Sequence, residues 1–253
     1  MNHAEQGFLV TGGGSGIGQE VCIMAAAAGA SVAIADLDLG AAERTAEMVR
    51  GTNGKAIAYQ LDVTDPEAVA DTVARAGNDL ERLNVLVNSA GVREIESVLD
   101  LSYEEWRRVI DVNLSGTFLA SQAFARRLRD SDEPARIVNL ASTLGLMAAP
   151  NRAAYTASKH GVVGLTREMA LELGTTNIRV NAVAPGVVRT PLTEQYFGSE
   201  EYTEVVNRLH PVGRYATPDE IARAILFLAD PANDFITGVT LPVDGGWTIG
   251  KSM

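Results

Sequence analysis

The chain alternates from end to end between short apolar, β-branched runs and longer segments whose apolar residues recur at helical spacing. Strand-like runs are predicted at 7–11, 31–35, 55–61, 84–88, 135–141, 177–184 and 239–243. Such alternation favours parallel strands with helices packed on both faces. We therefore predict an α/β fold with a doubly wound parallel sheet of about seven strands. No linker or repeat divides the sequence, so a single domain over residues 1–253 is expected, with an irregular or short-helical segment at 190–213.

Composition excludes several kinds of protein. The net charge of −11 makes nucleic acid an unexpected partner. Cys22 is the only cysteine, and His3, His160 and His210 are not at metal-ligand spacing, so neither a disulfide nor a metal site is predicted. The longest apolar stretch is too short to span a bilayer, and the first strand starts too early for a signal peptide to precede it. A cytoplasmic location without membrane contact is expected.

A glycine-rich turn joins the first strand to the first helical pattern. Residues 7–11 run into Thr11-Gly-Gly-Gly-Ser-Gly-Ile-Gly18, and apolar residues at helical spacing follow over 17–28. In this context, backbone N–H groups and the helix N-terminus can meet a pyrophosphate, which is typical of a dinucleotide-binding Rossmann fold. The predicted contacts in the turn are Gly12, Ser15, Gly16, Ile17 and Gly18.

The second strand ends in an acid that bears on the choice of coenzyme. Asp36 lies 18 residues after Gly18, close to the spacing at which an acidic side chain binds the adenine ribose. Its charge would repel a 2′-phosphate, and Ser15 and Leu37 offer no cation to bind one. The sequence therefore predicts NAD rather than NADP. The alternative is that Asp36 is only a helix cap or a loop residue.

Three further residues predict acid–base chemistry. If 152–174 is helical, Tyr155 and Lys159 share one face, and the ammonium should lower the pKa of the phenol. Tyr155 would then be a plausible general acid and base. Ser142 follows the strand 135–141, at the strand end where open α/β sheets bind ligands. Each residue alone is more often structural; their position downstream of the glycine turn favours the functional interpretation.

Together these residues resemble the classical short-chain dehydrogenase/reductase family, over almost the whole chain. The resemblance rests on Thr11-Gly-x-x-x-Gly-x-Gly18, Asp62-Val63, Asn88-Ser89-Ala90-Gly91, Asn113, Ser142, Tyr155, Lys159, Pro185-Gly186-x-x-x-Thr190 and Asp244-Gly245-Gly246. One position departs from it, because the family has a second Asn where Ser89 stands.

The resemblance implies a role for each matching residue. Tyr155 would transfer the proton, Ser142 would steady the reacting oxygen, and Lys159 would lower the Tyr155 pKa and bind the nicotinamide ribose. Asn113 would hold a water of a proton relay. Thr190 either positions the carboxamide of the nicotinamide or caps the next helix. The implied cofactor contacts outside the glycine turn are Asp36, Leu37, Asp62, Val63, Asn88, Ala90, Gly91, Tyr155, Lys159, Pro185, Gly186, Val188 and Thr190.

The implied activity is NAD-dependent interconversion of a secondary alcohol and a ketone. The segment after Ser142 and a lid at about 190–213 would shape a mostly apolar pocket for a small or medium-sized alcohol, polyol or hydroxy compound. The predicted substrate contacts are Ser142, Leu144, Arg152, Tyr155 and Tyr196. Arg93, Glu94 and Arg152 could bind a polar or anionic substituent, although simple surface exposure is the more ordinary interpretation of each.

Three alternatives stay open. A 3-oxoacyl-thioester reductase would keep the same residues, but such enzymes usually resemble NADPH users, and Asp36 disfavours this. A non-catalytic NAD-binding regulator could lose the Ser/Tyr/Lys set, which is complete here. A lyase similar to the halohydrin dehalogenases would lack the dinucleotide glycines and the lysine. Family members usually form tetramers through the helices at 102–130 and 152–174 and the last strand, so a homotetramer is expected.

Overall fold

A computed structural model describes residues 3–250, apart from the side chain of Tyr202. Its centre is a seven-stranded sheet in the order β3-β2-β1-β4-β5-β6-β7, in which every neighbouring pair is parallel. The strands are β1 Gly7–Thr11, β2 Ser31–Asp36, β3 Lys55–Gln60, β4 Val85–Asn88, β5 Ala135–Leu140, β6 Ile178–Pro185 and β7 Thr240–Val243. The predicted doubly wound parallel sheet is confirmed.

Eight α-helices connect and cover the strands. They are α1 Gly16–Ala27, α2 Leu39–Gly51, α3 Pro66–Asp79, α4 Tyr103–Ile110, α5 Gly116–Leu128, α6 Ala153–Glu172, α7 Glu200–Leu209 and α8 Pro218–Ala229. Their starts follow ordinary capping chemistry: Asp65 accepts hydrogen bonds from the first turn of α3, and Thr217 forms a capping box with Glu220 at α8.

Both faces of the sheet are buried, as expected of a parallel sheet. One core cluster packs Val10 and Ile34 against α1 and α8, and the other packs Leu9 and Leu86 against α3 and α5. All five residues of β1 are buried, so the short apolar runs of the sequence become strands covered on both sides. The strand order reverses at β1, which pairs with β2 on one side and β4 on the other. The carboxyl ends of β1 and β4 therefore define the crevice where such folds bind ligands.

The segment predicted to hold two helices at 102–130 is one unbroken helical run. Between α4 and α5 the chain forms a π-helical turn, Asp111–Ser115, instead of a loop. A π turn carries one extra residue and is frequent at functional sites. Here it places Asn113 fully inside the protein.

The segment 190–213 is short-helical, as predicted. A 3-10 helix, Glu194–Phe197, precedes α7. In the part of the chain that the structure describes, no helix has the length and apolar character needed to cross a membrane.

Candidate active site

A cavity of about 310 Å³ opens at the carboxyl ends of β1, β2 and β4. It collects sequence motifs that are far apart along the chain. Among the predicted cofactor contacts, its lining contains Gly12, Ser15, Gly16, Ile17, Asp36, Leu37, Asp62, Val63, Ala90, Gly91 and Thr190. The fold therefore brings the glycine turn, the acid after β2 and the turn after β4 to one place.

Two of the predicted cofactor contacts support the turn from behind. A Cβ on Gly18 would lie 2.2 Å from the carbonyl oxygen of Gly12, so this glycine permits close packing of α1 on the turn. The side chain of Asn88 is buried and donates to Ser121 and to Asn139, both at 2.8 Å. These hydrogen bonds connect β4 to β5 and α5 inside the core.

The start of α1 is open to an anion. Ser15 occupies the N-cap position, is exposed, and makes no capping hydrogen bond with its side chain. The first N–H groups of a helix have no partner within the helix and carry a partial positive charge. The hydroxyl of Ser15 and these N–H groups can therefore bind a phosphate.

Asp36 is held at the end of β2 in a defined orientation. Its carboxylate accepts hydrogen bonds from the N–H of Gly14 at 2.9 Å and of Asp38 at 3.1 Å. The N-cap of α2 is Asp38, which accepts from Gly40. Asp36 is therefore not the cap of the next helix, and the exposed Leu37 beside it carries no charge.

A second cavity, of about 90 Å³, lies next to the first and contains the predicted catalytic residues. Ser142, Tyr155 and Lys159 line it together with Pro185, Gly186, Val188 and Thr190. Thr190 borders both cavities. Thr193, and not Thr190, precedes the helix Glu194–Phe197, so the capping interpretation of Thr190 is wrong.

Burial controls the acidity of Tyr155. Burial raises the pKa of its phenol, whereas a hydrogen bond with Ser142 and the positive charges of Arg93 and Arg152 act to lower it. The predicted net lowering by Lys159 is therefore wrong for the chain without ligands. Ser142 Oγ also accepts a hydrogen bond from the N–H of Leu144 at 3.1 Å, which fixes its position.

Lys159 is buried beneath the tyrosine. Its Nζ donates to the carbonyl of Leu140 at 2.7 Å and lies 5.6 Å from the centroid of the Tyr155 ring. Burial lowers the pKa of this ammonium to about 8. Leu140 thus fixes the lysine at the end of β5, where the cavity for the reacting group begins.

Asn113 fastens the π turn to the loop after β4. Its Oδ1 accepts from the N–H of Val92 at 2.8 Å, and its Nδ2 donates to the carbonyl of Val92 at 2.9 Å and to Ser158 Oγ at 3.0 Å. Ser158 in turn donates to the carbonyl of Tyr155. The predicted relay residue is therefore in contact with the helix that carries Tyr155 and Lys159.

The remaining predicted substrate contacts, Leu144, Arg152 and Tyr196, are not among the residues that line this cavity. Arg152 and Tyr196 are half-buried, and Arg152 donates a hydrogen bond to the Tyr196 hydroxyl. Leu144 is buried behind Ser142. The ordinary interpretation of Arg93 and Glu94 as exposed residues is wrong, because Arg93 is half-buried and Glu94 is 3% exposed.

Comparisons with known proteins agree with this geometry. A family model described as Enoyl-(Acyl carrier protein) reductase matches residues 12–248. Cyclohexanol dehydrogenase of Acinetobacter sp. is 39% identical over 95% of this chain and 94% of its own length. Cis-4-hydroxycyclohexanecarboxylate dehydrogenase of Sinomonas cyclohexanicum is 39% identical over 97% of both chains.

A solved structure extends the likeness to three dimensions. The Agrobacterium tumefaciens protein assigned as a 2-deoxy-d-gluconate 3-dehydrogenase, crystallised with bound NADP, superposes with a TM-score of 0.92 at 35% identity over 98% of both chains. The chain belongs to the short-chain dehydrogenase/reductase family. It is an oxidoreductase that acts on CH–OH groups with a nicotinamide cofactor.

The residues present fit such a cofactor. A Cβ on Gly16 would lie 3.3 Å from the Thr190 side chain, so a side chain there would narrow the cavity that both residues line. Ser15 and the start of α1 suit a pyrophosphate, and Asp36 suits a ribose diol. In this short-chain dehydrogenase, the bound nicotinamide would supply hydride transfer, and Thr190 and Lys159 lie where they could hold it.

Glu94 has a role in this site that the sequence did not identify. Arg152, at the N-cap of α6, makes no capping bond with its side chain. Instead the buried carboxylate of Glu94 accepts from the N–H groups of Ala154 at 2.8 Å and of Tyr155 at 3.1 Å. Sixty residues separate Glu94 from Ala154, so no local capping pattern could reveal it. Glu94 fixes the first turn of α6 and with it the backbone of Tyr155.

Replacing Glu94 should separate its effect on the position of Tyr155 from its effect on the stability of the fold. Glu94→Ala leaves two buried N–H groups without an acceptor and should lower the free energy of unfolding by about 1–3 kcal/mol. It should also lower kcat while the KM for the coenzyme stays within about threefold, because only Tyr155 is displaced. Glu94→Gln retains an acceptor oxygen and should be milder on both counts. Thermal unfolding and steady-state kinetics measure the two effects.

Asp65→Ala is the matched control, because Asp65 caps α3 in the same way but lines neither cavity of the site. It should lower stability by about 0.5–2 kcal/mol without changing kcat. An equal fall in kcat for both variants would contradict the positioning role of Glu94.

Proposed function

We propose that this short-chain dehydrogenase interconverts a secondary alcohol and a ketone with NAD(H), using Tyr155 as the general acid and base. The observation that carries the proposal is the shared cavity of Ser142, Tyr155 and Lys159, which adjoins the cavity of the glycine turn. Proton transfer at the substrate oxygen and hydride transfer at the carbon that bears it can therefore take place side by side.

Each catalytic side chain has a distinct task in this proposal. Ser142 Oγ, held by the N–H of Leu144, hydrogen-bonds the substrate oxygen. Tyr155 Oη takes the hydroxyl proton during oxidation, or returns it during reduction. Lys159 is anchored to Leu140 and places its ammonium beneath the Tyr155 ring, where its charge favours the phenolate once the site is closed from water. The capped first turn of α6 holds Tyr155 and Lys159 in position relative to Ser142.

A small or medium-sized hydroxy compound is the proposed substrate. The catalytic cavity is small, and Ile17, Val188 and Leu192 give it apolar walls. Relatives of 39% identity are named for cyclohexanol and for cis-4-hydroxycyclohexanecarboxylate, both of them cyclic secondary alcohols. These names support a compact alcohol over a long acyl chain.

The alternative is a 3-oxoacyl-thioester reductase. A relative named 3-oxoacyl-[acyl-carrier-protein] reductase, from Thermotoga maritima and 36% identical over 95% of this chain, favours it. The cavity lining and Asp36 favour the alcohol dehydrogenase. A non-catalytic NAD-binding regulator would not need the complete Ser142, Tyr155 and Lys159 arrangement.

NAD is proposed over NADP because of the charge on Asp36. The carboxylate is held at the end of β2 by Gly14 and Asp38, and Leu37 next to it offers no partner for a 2′-phosphate. A bound NADP in a relative of 35% identity supports the opposite preference for that protein, so the proposal of NAD for this chain rests on the residues at this strand end.

A homotetramer in the cytoplasm completes the proposal. Phe118 on α5 and Leu171 on α6 are large apolar side chains that stand exposed on the two helices expected at the interface. Burial of these faces against a second copy would remove them from water.

Tyr155→Phe tests the activity itself. Loss of the phenolic hydroxyl should lower kcat by about 10²–10⁴-fold, since general acid–base catalysis contributes a rate enhancement of that order. NADH affinity, measured by calorimetry, should change by less than about threefold. Tyr103→Phe, at an exposed tyrosine on α4, is the control. The assay follows NAD reduction by absorbance with a panel of secondary alcohols, and retained turnover in Tyr155→Phe would contradict the assigned role.

Asp36→Ala tests the coenzyme preference. Because a hydrogen bond to a charged group is worth about 1.5–3 kcal/mol, kcat/KM for NAD should fall about 10–150-fold. The kcat/KM for NADP should rise as the repulsion disappears. Asp38→Ala, which removes the neighbouring cap, should leave the NAD/NADP ratio unchanged. A ratio that Asp36→Ala does not move would overturn the assignment.

Light scattering after size exclusion tests the assembly. A tetramer has four times the monomer mass of 26.8 kDa. Phe118→Glu should shift the mass downward, because it would bury a charge in the interface. A wild-type mass equal to one chain at micromolar concentration would rule the tetramer out.

A further inference from the structure

Two arginines meet beside the catalytic tyrosine. Arg93 lies in the loop after β4, and Arg152 lies three residues before Tyr155. Both guanidinium groups donate a hydrogen bond to the hydroxyl of Tyr196, on the helix Glu194–Phe197 of the proposed lid. Arg93 Cζ is 4.4 Å from the centroid of the Tyr196 ring and Arg152 Cζ is 6.0 Å from it. Three segments that are distant in sequence thus converge on one phenol oxygen.

This cluster holds two positive charges around a neutral acceptor. Within residues 3–250, no carboxylate oxygen lies within 4.0 Å of either guanidinium, whereas Arg75, which also stacks on a tyrosine, pairs with Asp71. Glu94 is adjacent in sequence, but its carboxylate caps α6. Burial lowers the pKa of Arg93, and the positive charge of Arg152 acts in the same direction. An anion between the two arginines would relieve their repulsion.

The cluster is within electrostatic reach of the reacting group. The charges of both arginines act on the Tyr155 phenol. Arg152 is the N-cap residue of α6 and Tyr155 lies in the first turn, so both side chains leave the chain at the same end of this helix. A small molecule held by Ser142 and Tyr155 could therefore extend an anionic group to both guanidiniums.

We infer that Arg93 and Arg152 bind a carboxylate of the substrate, so that the preferred substrate is a hydroxy carboxylate. The planar donor forks of arginine match the two oxygens of a carboxylate, and half-burial strengthens the pair relative to one in open water. The Tyr196 hydroxyl would donate a hydrogen bond to the same carboxylate, so the lid would contact the substrate directly. The reaction at the carbinol rests on the proposed function; the binding of the carboxylate does not.

A matched pair of substrates tests this inference. Cyclohexanol and cis-4-hydroxycyclohexanecarboxylate differ by the carboxylate alone. Wild-type kcat/KM should be at least about tenfold higher for the carboxylate, and this preference should weaken as ionic strength rises. Arg93→Met and Arg152→Met, which keep an apolar stem, should each lower this ratio of kcat/KM values about tenfold or more. Loss of their charge near Tyr155 should lower kcat/KM for both substrates alike, and that common effect cancels in the ratio. Arg75→Met, at the remote Arg–Tyr stack, should not change it.

Tyr196→Phe separates a carboxylate site from a simple latch of the lid. If the arginines only hold the lid through the Tyr196 hydroxyl, Tyr196→Phe should impair both substrates as strongly as the arginine variants do. A carboxylate site predicts that Tyr196→Phe retains most of the preference, because both guanidiniums remain. Equal damage to both substrates in all three variants would overturn the inference.

Calorimetry with cyclohexanecarboxylate, which has no hydroxyl to react, tests binding without turnover. It should bind wild-type protein in the presence of NADH and bind Arg93→Met and Arg152→Met at least about tenfold more weakly. If the alcohols are not oxidised but this binding pattern holds, the proposed function fails and the carboxylate site stands. If cyclohexanol is oxidised but the carboxylate brings no preference and no binding, the site is refuted and the proposed function stands.

Discussion

The active end of the molecule depends on hydrogen bonds made by the loop that follows β4. Val92 of this loop bonds Asn113 of the π turn through both its N–H and its carbonyl, and Glu94 caps the helix that carries Tyr155 and Lys159. Arg93, between them, reaches the lid at Tyr196. Hydrogen bonds from three consecutive residues thus connect the loop after β4 to a helix, a π turn and the lid. Displacement of this loop would disturb the π turn, the first turn of α6 and the lid at once.

Burial sets the direction in which the pKa values of the two catalytic groups on α6 shift. The pKa of Tyr155 is raised and that of Lys159 is lowered to about 8, because both lose water inside the protein. The positive charges that oppose the rise at Tyr155 come from Arg93 and Arg152. In our account these arginines therefore serve two purposes, since they bind the carboxylate of the substrate and favour the phenolate that takes its proton. Neutralisation by the bound carboxylate would lessen the second effect, so Lys159 and Ser142 would then carry more of it.

Much of the fold could be predicted because its determinants are local. Short β-branched runs, the glycines of the turn after β1, and the caps at Asp65 and Thr217 act within a few residues of their own position. Parallel pairing of the strands follows from the alternation of strand and helix. That Ser142, Tyr155 and Lys159 line one cavity could be anticipated, because Ser142 follows a strand at the ligand-binding edge of the sheet and the other two share one face of a helix.

What could not be predicted depends on contacts between distant segments. Glu94 caps a helix that starts about sixty residues later, and nothing in its own surroundings marks it. Arg136 is the second residue of the buried strand β5, and its guanidinium donates hydrogen bonds to Asp234 and to the carbonyl of Pro231. The prediction of a lowered Tyr155 pKa was wrong for a related reason, because spacing along a helix reveals the neighbouring lysine but not the depth of burial. The π turn at Asn113 likewise depends on the partner at Val92.

The most direct test of the central claim is to follow the hydrogen on the carbinol carbon. A secondary alcohol substrate labelled with deuterium at that carbon would be oxidised with NAD, and the recovered NADH analysed by mass spectrometry. The account predicts that the NADH carries one deuterium, because hydrogen passes directly from the substrate carbon while Tyr155 takes only the hydroxyl proton. NADH without the label, with the deuterium released to water, would contradict it.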